Sequence, residues 1–134
     1  MYPNATNVTD GNGKVLFKEL SYRLNGLMFK THNDLGRFRR EFQYCEYFEE
    51  QLKAELIPYR REHVLPAIDA SINRVDFLID DEVLIDFKAK PFITKEDYYQ
   101  MRRYLELAKK PLGMIVNFRQ VYLSPKRVLN VNAS

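Results

Sequence analysis

Three charged residues stand where charge is costly. The stretch SINRVDFLIDDEVLIDFKAK, residues 71–90, holds two apolar runs joined by a short acidic turn. Asp76 interrupts Val75, Phe77, Leu78 and Ile79, while Asp86 and Lys88 interrupt Val83, Leu84, Ile85, Phe87 and Ala89. Runs of Val, Ile, Leu and Phe make strands that are buried. A charge inside such a strand must be paired or bind a metal. Side chains alternate along a strand, so Asp86 and Lys88 emerge on one face, and Val83, Ile85 and Phe87 point the other way. By the same alternation Asp76 shares its face with Arg74 and Leu78.

Whether the two aspartates meet depends on hairpin register. A three-residue loop at 80–82 sets Ile79 against Val83 and Asp76 against Asp86. A two-residue loop with regular pairing puts the carboxylates on opposite faces. Two bare carboxylates facing each other repel, and a divalent cation removes that repulsion. Oxygen ligands in a chain with one cysteine and two histidines suit Mg²⁺ or Mn²⁺ rather than Zn²⁺. Lys88 supplies a cation that can orient or help activate an attacking water and stabilise charge on a phosphorane-like transition state. The plain alternative is a buried Asp–Lys salt bridge. Three charges in one apolar strand pair favour chemistry.

The elements on either side must position these groups. Leu16, Leu20, Leu24, Leu27 and Met28 recur at helical spacing, and Gly36 is a natural end cap. His32 in the last turn is expected to meet free carbonyls at the helix end. A second helix is predicted from about 39 to 56, with Phe42, Cys45, Phe48 (or Glu49), Leu52 and Leu56 as its buried side and Pro58 at the exit. Residues 59–68 read as an edge strand around Pro66. Thr94 and Asp97 have the spacing of a capping box, opening a helix to about 109 with Tyr98, Met101, Leu105 and Ala108 buried. Gln100 and Tyr104 lie on a flank of that stripe. Residues 112–118 are a nearly all-apolar strand covered on both faces, and 121–131 a last strand pushed to an edge by Pro125. Helix, helix, three strands, helix and two strands make a layered α/β fold with a mixed sheet.

The chain has 134 residues, of which 46% are hydrophobic and 29% charged, a balance that suits one globular domain, 15–134, behind a flexible tail at 1–14. No apolar run is long enough to span a bilayer, no secretion signal stands at the N-terminus, and the sequons at Asn4, Asn7 and Asn132 then carry no weight. Cys45, the sole cysteine, excludes an internal disulfide. The expected compartment is the cytoplasm. A net charge of +3 is compatible with a nucleic-acid partner. Basic residues cluster at 37–40, 60–61, 102–103, 109–110 and 126–127, each by itself an ordinary solvated face.

The spacing of Asp76, Asp86 and Lys88 resembles the PD-(D/E)xK nuclease superfamily. Seven stretches, in matching order and spacing, resemble the small GxxExxY family within it: LSYR at 20–23, HNDLG at 32–36, EFQY at 41–44, RVDFL at 74–78, DFKA at 86–89, QMRRYL at 100–105 and GMIVNF at 113–118. Phe38 stands where that family opens its namesake motif with glycine, and Asp86 where it usually has Glu. The resemblance implies a three-layer α/β/α restriction-endonuclease-like core with N-terminal helices. It implies Asp76 and Asp86 as metal ligands, Lys88 as the catalytic lysine, Glu41 as a further carboxylate at the metal, and Gln100 lining the site. Tyr44 and Tyr104 would border it. With Arg74, Arg102 and Arg103 they are the candidate substrate contacts. The implied activity is Mg²⁺- or Mn²⁺-dependent cleavage of nucleic acid, most simply DNA. The other outcome is a catalytically weak binding or partner module of the same fold. No recognition segment is evident, so specificity would come from partners, a homodimer or a larger assembly.

Overall fold

The structure is a computed structural model and describes residues 17–65 and 73–131. The tail at 1–14, Leu16 of the first stripe, residues 66–68 of the edge strand and the three sequons lie outside the described residues.

Helix α1 runs Lys18–Leu35 and α2 runs Glu41–Ala54. Strands β1 (Tyr59–Leu65), β2 (Asn73–Ile79) and β3 (Val83–Lys88) follow, then helix α3 (Lys95–Ala108) and strands β4 (Leu112–Asn117) and β5 (Lys126–Leu129). The five strands lie in sequence order in one sheet, with β3 and β4 parallel and all other pairs antiparallel. The crossover between the parallel strands is α3, as parallel pairing requires. One core joins α1 and α2 to one face of the sheet through Leu20, Phe48, Phe77, Ile85, Phe87 and Val116. The other joins α3 to the opposite face through Val75, Leu78, Leu84, Met101 and Leu105. The result is the expected three-layer α/β/α arrangement with a mixed sheet. No described helix is long and apolar enough to cross a membrane.

Local signals explain most boundaries. Gly36 ends α1 at φ 79°, a backbone conformation glycine adopts without strain, and its N–H donates to the His32 carbonyl. The Thr94 N–H donates to the Asp97 carboxylate at 2.7 Å, the returning half of the predicted capping box. Gly113 on β4 lets α3 approach closely, since a Cβ there would lie 2.5 Å from Met101 Sδ.

Helix α2 turns differently from the expected stripe. Phe42 is 56% exposed and Leu56 87% exposed, whereas Tyr44, Cys45, Phe48, Gln51 and Leu52 are buried. Tyr44 wins the inward position because its hydroxyl finds a partner there, donating to the Gly36 carbonyl at 2.6 Å, while its ring stacks on Phe118 at 4.2 Å. Leu56 lies past the end of the helix at φ 58°. Phe48 meets Phe77 and Phe87 edge-on, each at 5.1 Å, so α2 is pinned to β2 and β3.

Alternation along β2 also departs from the simple rule. Leu78 and Val75 pack on the α3 side, Phe77 and Ile79 on the other, so the pleat resets at Asp76. Arg74, beside Val75, therefore does not share the face of Leu78. The partner strand resets in phase. Arg61 pairs with Phe77 and His63 with Val75, and between them Glu62, opposite Asp76, has φ 52°. A non-glycine residue in that region is strained by about 1–2 kcal/mol. Glu62 is exposed and its 3.8 Å ion pair with Arg74 adds little. Glu62→Gly is expected to raise the melting stability by about 1 kcal/mol and Glu62→Val to lower it by about 1–2 kcal/mol. Thermal unfolding in which valine is as well tolerated as glycine would show that the kink does not exist.

Candidate active site

The turn at 80–82 decides the site. Asp80 and Asp81 adopt left-handed conformations, φ 51° and 59°, which Asp tolerates better than most residues. The Glu82 N–H closes the turn on the Ile79 carbonyl at 2.9 Å. The pairs Ile79–Val83, Leu78–Leu84 and Phe77–Ile85 then follow, and the next position sets Asp76 opposite Asp86. Regular pairing stops there. The Phe87 N–H donates to Asp76 Oδ2 at 2.7 Å, so a side-chain carboxylate takes the place of a main-chain carbonyl in the ladder. The Asp76 N–H lies 3.4 Å from Asp86 Oδ1. Beyond this point β2 continues with β1 and β3 with β4. The two carboxyls thus meet at a fork between strands.

Their surroundings are poor in water. Asp86 is buried and Asp76 half-buried. Burial, then the negative charge of Asp86, push the Asp76 carboxyl up to about 7; its hydrogen bond with Asp86 and the charge of Glu41 add to this, against the Phe87 N–H. Lys88 Nζ pairs with Asp86 Oδ2 at 3.0 Å, reaches Gln100 Oε1 at 3.4 Å and lies 3.9 Å from Asp97 Oδ1. Burial pulls the Lys88 pKa down, but the charges of Asp86, Asp97 and Glu41 outweigh it and hold the ammonium above its ordinary value. Lys88 therefore stands among these acids as an ammonium. Beneath the pair on α2, burial and the charge of Asp76 raise the Cys45 thiol, which stays protonated.

Asp76, Asp86, Lys88 and Gln100 come together. Glu41 heads α2, exposed, close enough for its charge to bear on Asp76 and Lys88. Among the described residues no three His, Cys, Asp or Glu side chains converge closely enough to hold a metal, so Glu41 does not close a three-ligand set. Tyr44 is fully buried and its hydroxyl also accepts from the Arg39 N–H at 3.2 Å. It offers no surface to a substrate and shapes the loop before Glu41 instead. Tyr104 is buried in the α3 core, its phenol raised by burial and then by the charge of Asp86. Arg103 binds Asn73 Oδ1 at 3.1 Å, and Arg74 and Arg102 are exposed.

Five further residues organise the site. Asp97 receives Lys90 at 2.7 Å besides capping α3, which places a second acid near Lys88. Asn117, buried, accepts the Lys90 N–H at 3.2 Å and returns a bond to the Lys90 carbonyl at 2.8 Å. Arg37 Nε donates to the Arg119 carbonyl at 2.8 Å and Arg119 Nε to the Arg37 carbonyl at 3.1 Å, clasping the loop before α2 to the turn after β4. The His32 ring joins this clasp, 2.8 Å from the Gln120 carbonyl, rather than the carbonyls of its own helix. The one polar side chain inside the apolar run at 112–118 is the sequence signal for Asn117.

Two carboxylates without soft or imidazole partners form an oxygen donor set, and Mg²⁺ is commonly held by one or two carboxylates with water completing its shell. The crowding of Asp76 against Asp86 also favours a cation there. The residues fit such an ion.

A mixed five-stranded sheet between a helix pair and a crossover helix, with two aspartates and a lysine at a strand fork, defines a restriction-endonuclease-like fold. The family model described as the PD-(D/E)XK nuclease superfamily matches residues 18–128, and the chain belongs to that superfamily. No curated protein matches the chain. Among solved structures, one described as the crystal structure of SSO0001 is similar at 15% identity and a TM-score of 0.48, covering 84% of this chain. The chain spans about half of that protein, 55% of its length.

The acidic pair makes a measurable demand on stability. In EDTA, folded Asp76 retains between about pH 4 and pH 7 a proton that the unfolded chain has released. Stability therefore falls as pH rises through that window. Asp76→Asn keeps an acceptor for the Phe87 N–H and removes the charge. It is expected to flatten the profile and to stabilise the fold at pH 8 by on the order of 2–4 kcal/mol. Parallel pH profiles for the two proteins would contradict the assignment.

Proposed function

We propose that the protein is a metal-dependent nuclease of the GxxExxY group, working in the cytoplasm and cleaving DNA with Mg²⁺ or Mn²⁺. The observation that carries this reading is the fork, where Asp76 faces Asp86 and Lys88 stands 3.0 Å from Asp86. Membership of a nuclease superfamily supports a nucleic-acid substrate. The seven matching stretches support the narrower group.

Asp76 and Asp86 would hold the cation, with Glu41 approaching from the head of α2. Bound there, a divalent cation supplies positive charge for the phosphate and acidifies water near neutral pH. Lys88, kept protonated by its acidic neighbours, would sit against the scissile phosphate and offset its growing negative charge. Gln100, whose Oε1 is 3.4 Å from Lys88 Nζ, would steady the ammonium and line the same space. Arg74, Arg102 and Arg103 would meet backbone phosphates, an interaction that weakens steeply with salt. Tyr44 and Tyr104 hold the walls.

Plasmid and oligonucleotide cleavage tests this directly. With Mg²⁺ or Mn²⁺ the wild type is expected to cut DNA, and Lys88→Ala and Asp86→Ala to lose at least about 100-fold in rate while keeping the native circular dichroism. Calorimetric titration should show Mn²⁺ binding that disappears in Asp76→Asn. A wild type that leaves DNA and RNA intact with both metals, yet binds them, is a binding module of nuclease fold. One that binds neither metal nor nucleic acid has a structural Asp–Lys pair.

A further inference from the structure

The loop ahead of α2 carries an exposed aromatic residue that the fold does not need. Phe38 is 74% exposed. The Arg37 guanidinium lies over its ring, 4.8 Å from the centroid, and that of Arg119 also over it at 5.7 Å. Both cations are anchored to main-chain carbonyls: Arg37 to Arg119, and Arg119 to Arg37 and, at 3.2 Å, to Ala89. Each guanidinium has five donors, so both keep N–H groups for other acceptors. Ala89 follows Lys88, and the Phe118 N–H donates to the Lys88 carbonyl at 2.9 Å, which ties this cluster to the end of β3. Phe42, in the first turn of α2, and Phe92, on the loop leaving β3, are also largely exposed, at 56% and 77%.

An aromatic ring with fixed arginines over it and most of its surface still exposed has two complementary partners in one polymer, a base to stack on the open part of the ring and phosphates to meet the guanidiniums. Bases inside a duplex already stack on each other and show only their edges. We infer that Phe38, with Arg37 and Arg119, is a stacking platform for an unpaired nucleotide, and that the substrate is a single strand or a splayed end delivered to the site at the fork. This rests on the nuclease reading and narrows its substrate class. The base would lie on Phe38, and Arg37 and Arg119 would take adjoining phosphates. The recognised chemistry is shared by DNA and RNA.

The chain has no tryptophan, so Phe38→Trp introduces a unique fluorophore at the platform. In EDTA, where turnover is suppressed, single-stranded DNA and RNA of one sequence and the duplex of that sequence are titrated separately. Saturable quenching of the Phe38→Trp emission is expected with one or both single strands and not with the duplex. Fluorescence anisotropy with labelled strands should show Phe38→Ala weakening single-strand binding about 5- to 100-fold and leaving duplex binding unchanged. Phe38→Tyr should bind as the wild type does. Which single strand quenches identifies the sugar. Equal binding of duplex and single strands, unaffected by Phe38→Ala, overturns the platform and leaves the nuclease reading standing. Failure of both single strands to bind overturns the platform, and the nuclease reading then stands or falls on cleavage with Mg²⁺ or Mn²⁺.

Discussion

The carboxyl groups of Asp76 and Asp86 meet where β2 and β3 part, and their mutual repulsion in a nearly dry setting is what the surrounding structure has to contain. Each carboxyl has a counterweight drawn from the fold itself. Asp86 is held by the Lys88 ammonium, and Asp76 by the Phe87 N–H. Neither counterweight is adjustable, since one is a main-chain amide and the other a side chain wedged between Asp86, Gln100 and Asp97. The rigidity comes from the two cores. Strand β3 is buried throughout up to Lys88, with α2 pressing on one face and α3 on the other.

The three layers deliver different parts. The sheet supplies the acids and the lysine, α3 supplies Gln100 and the outer acid Asp97, and α2 supplies Glu41. Glu41 is the least constrained, because it begins a helix instead of sitting inside one. Its placement depends on the loop at 36–40, which Tyr44 bonds from within and the Arg37–Arg119 clasp holds from outside. The same clasp leaves Phe38 turned to solvent, so the geometry of one short loop couples the acid at the head of α2 to the aromatic surface beside it.

Much of this was readable in the residues. The element order, the capping box at Thr94, the cap at Gly36 and the edge positions of β1 and β5 follow from local rules that nothing in the tertiary structure opposes. The hairpin was conditional on loop length, and the left-handed backbone at Asp80 and Asp81 supplies the longer loop. Where the reading failed, a tertiary partner had overruled a periodic one. Tyr44 displaced Phe42 from the buried face of α2 because the carbonyl of Gly36 was within reach of its hydroxyl. The pleat reset at Asp76 was invisible because it needs two strands to kink together, and Glu62 shows no preference for that backbone. Asp97 was read as a cap and proved also to be the partner of Lys90, a role set by the loop between β3 and α3 rather than by spacing.

The carboxylate of Asp76 standing in for a main-chain acceptor has a bearing on which sequences can occupy this fold. To reach a neighbouring strand's N–H at 2.7 Å from its own backbone, an acidic side chain must be short; one more methylene would carry the oxygens past the rung. Asp86 bears a looser backbone duty: its Oδ1 stands 3.4 Å from the Asp76 N–H, while its Oδ2 pairs with Lys88 at 3.0 Å. The superfamily's own signature, aspartate at the first position and aspartate or glutamate at the second, is the pattern this difference in backbone duty would select. On that view the first acid is restricted by the ladder before it is restricted by chemistry, and drift at the two positions is governed by different physics.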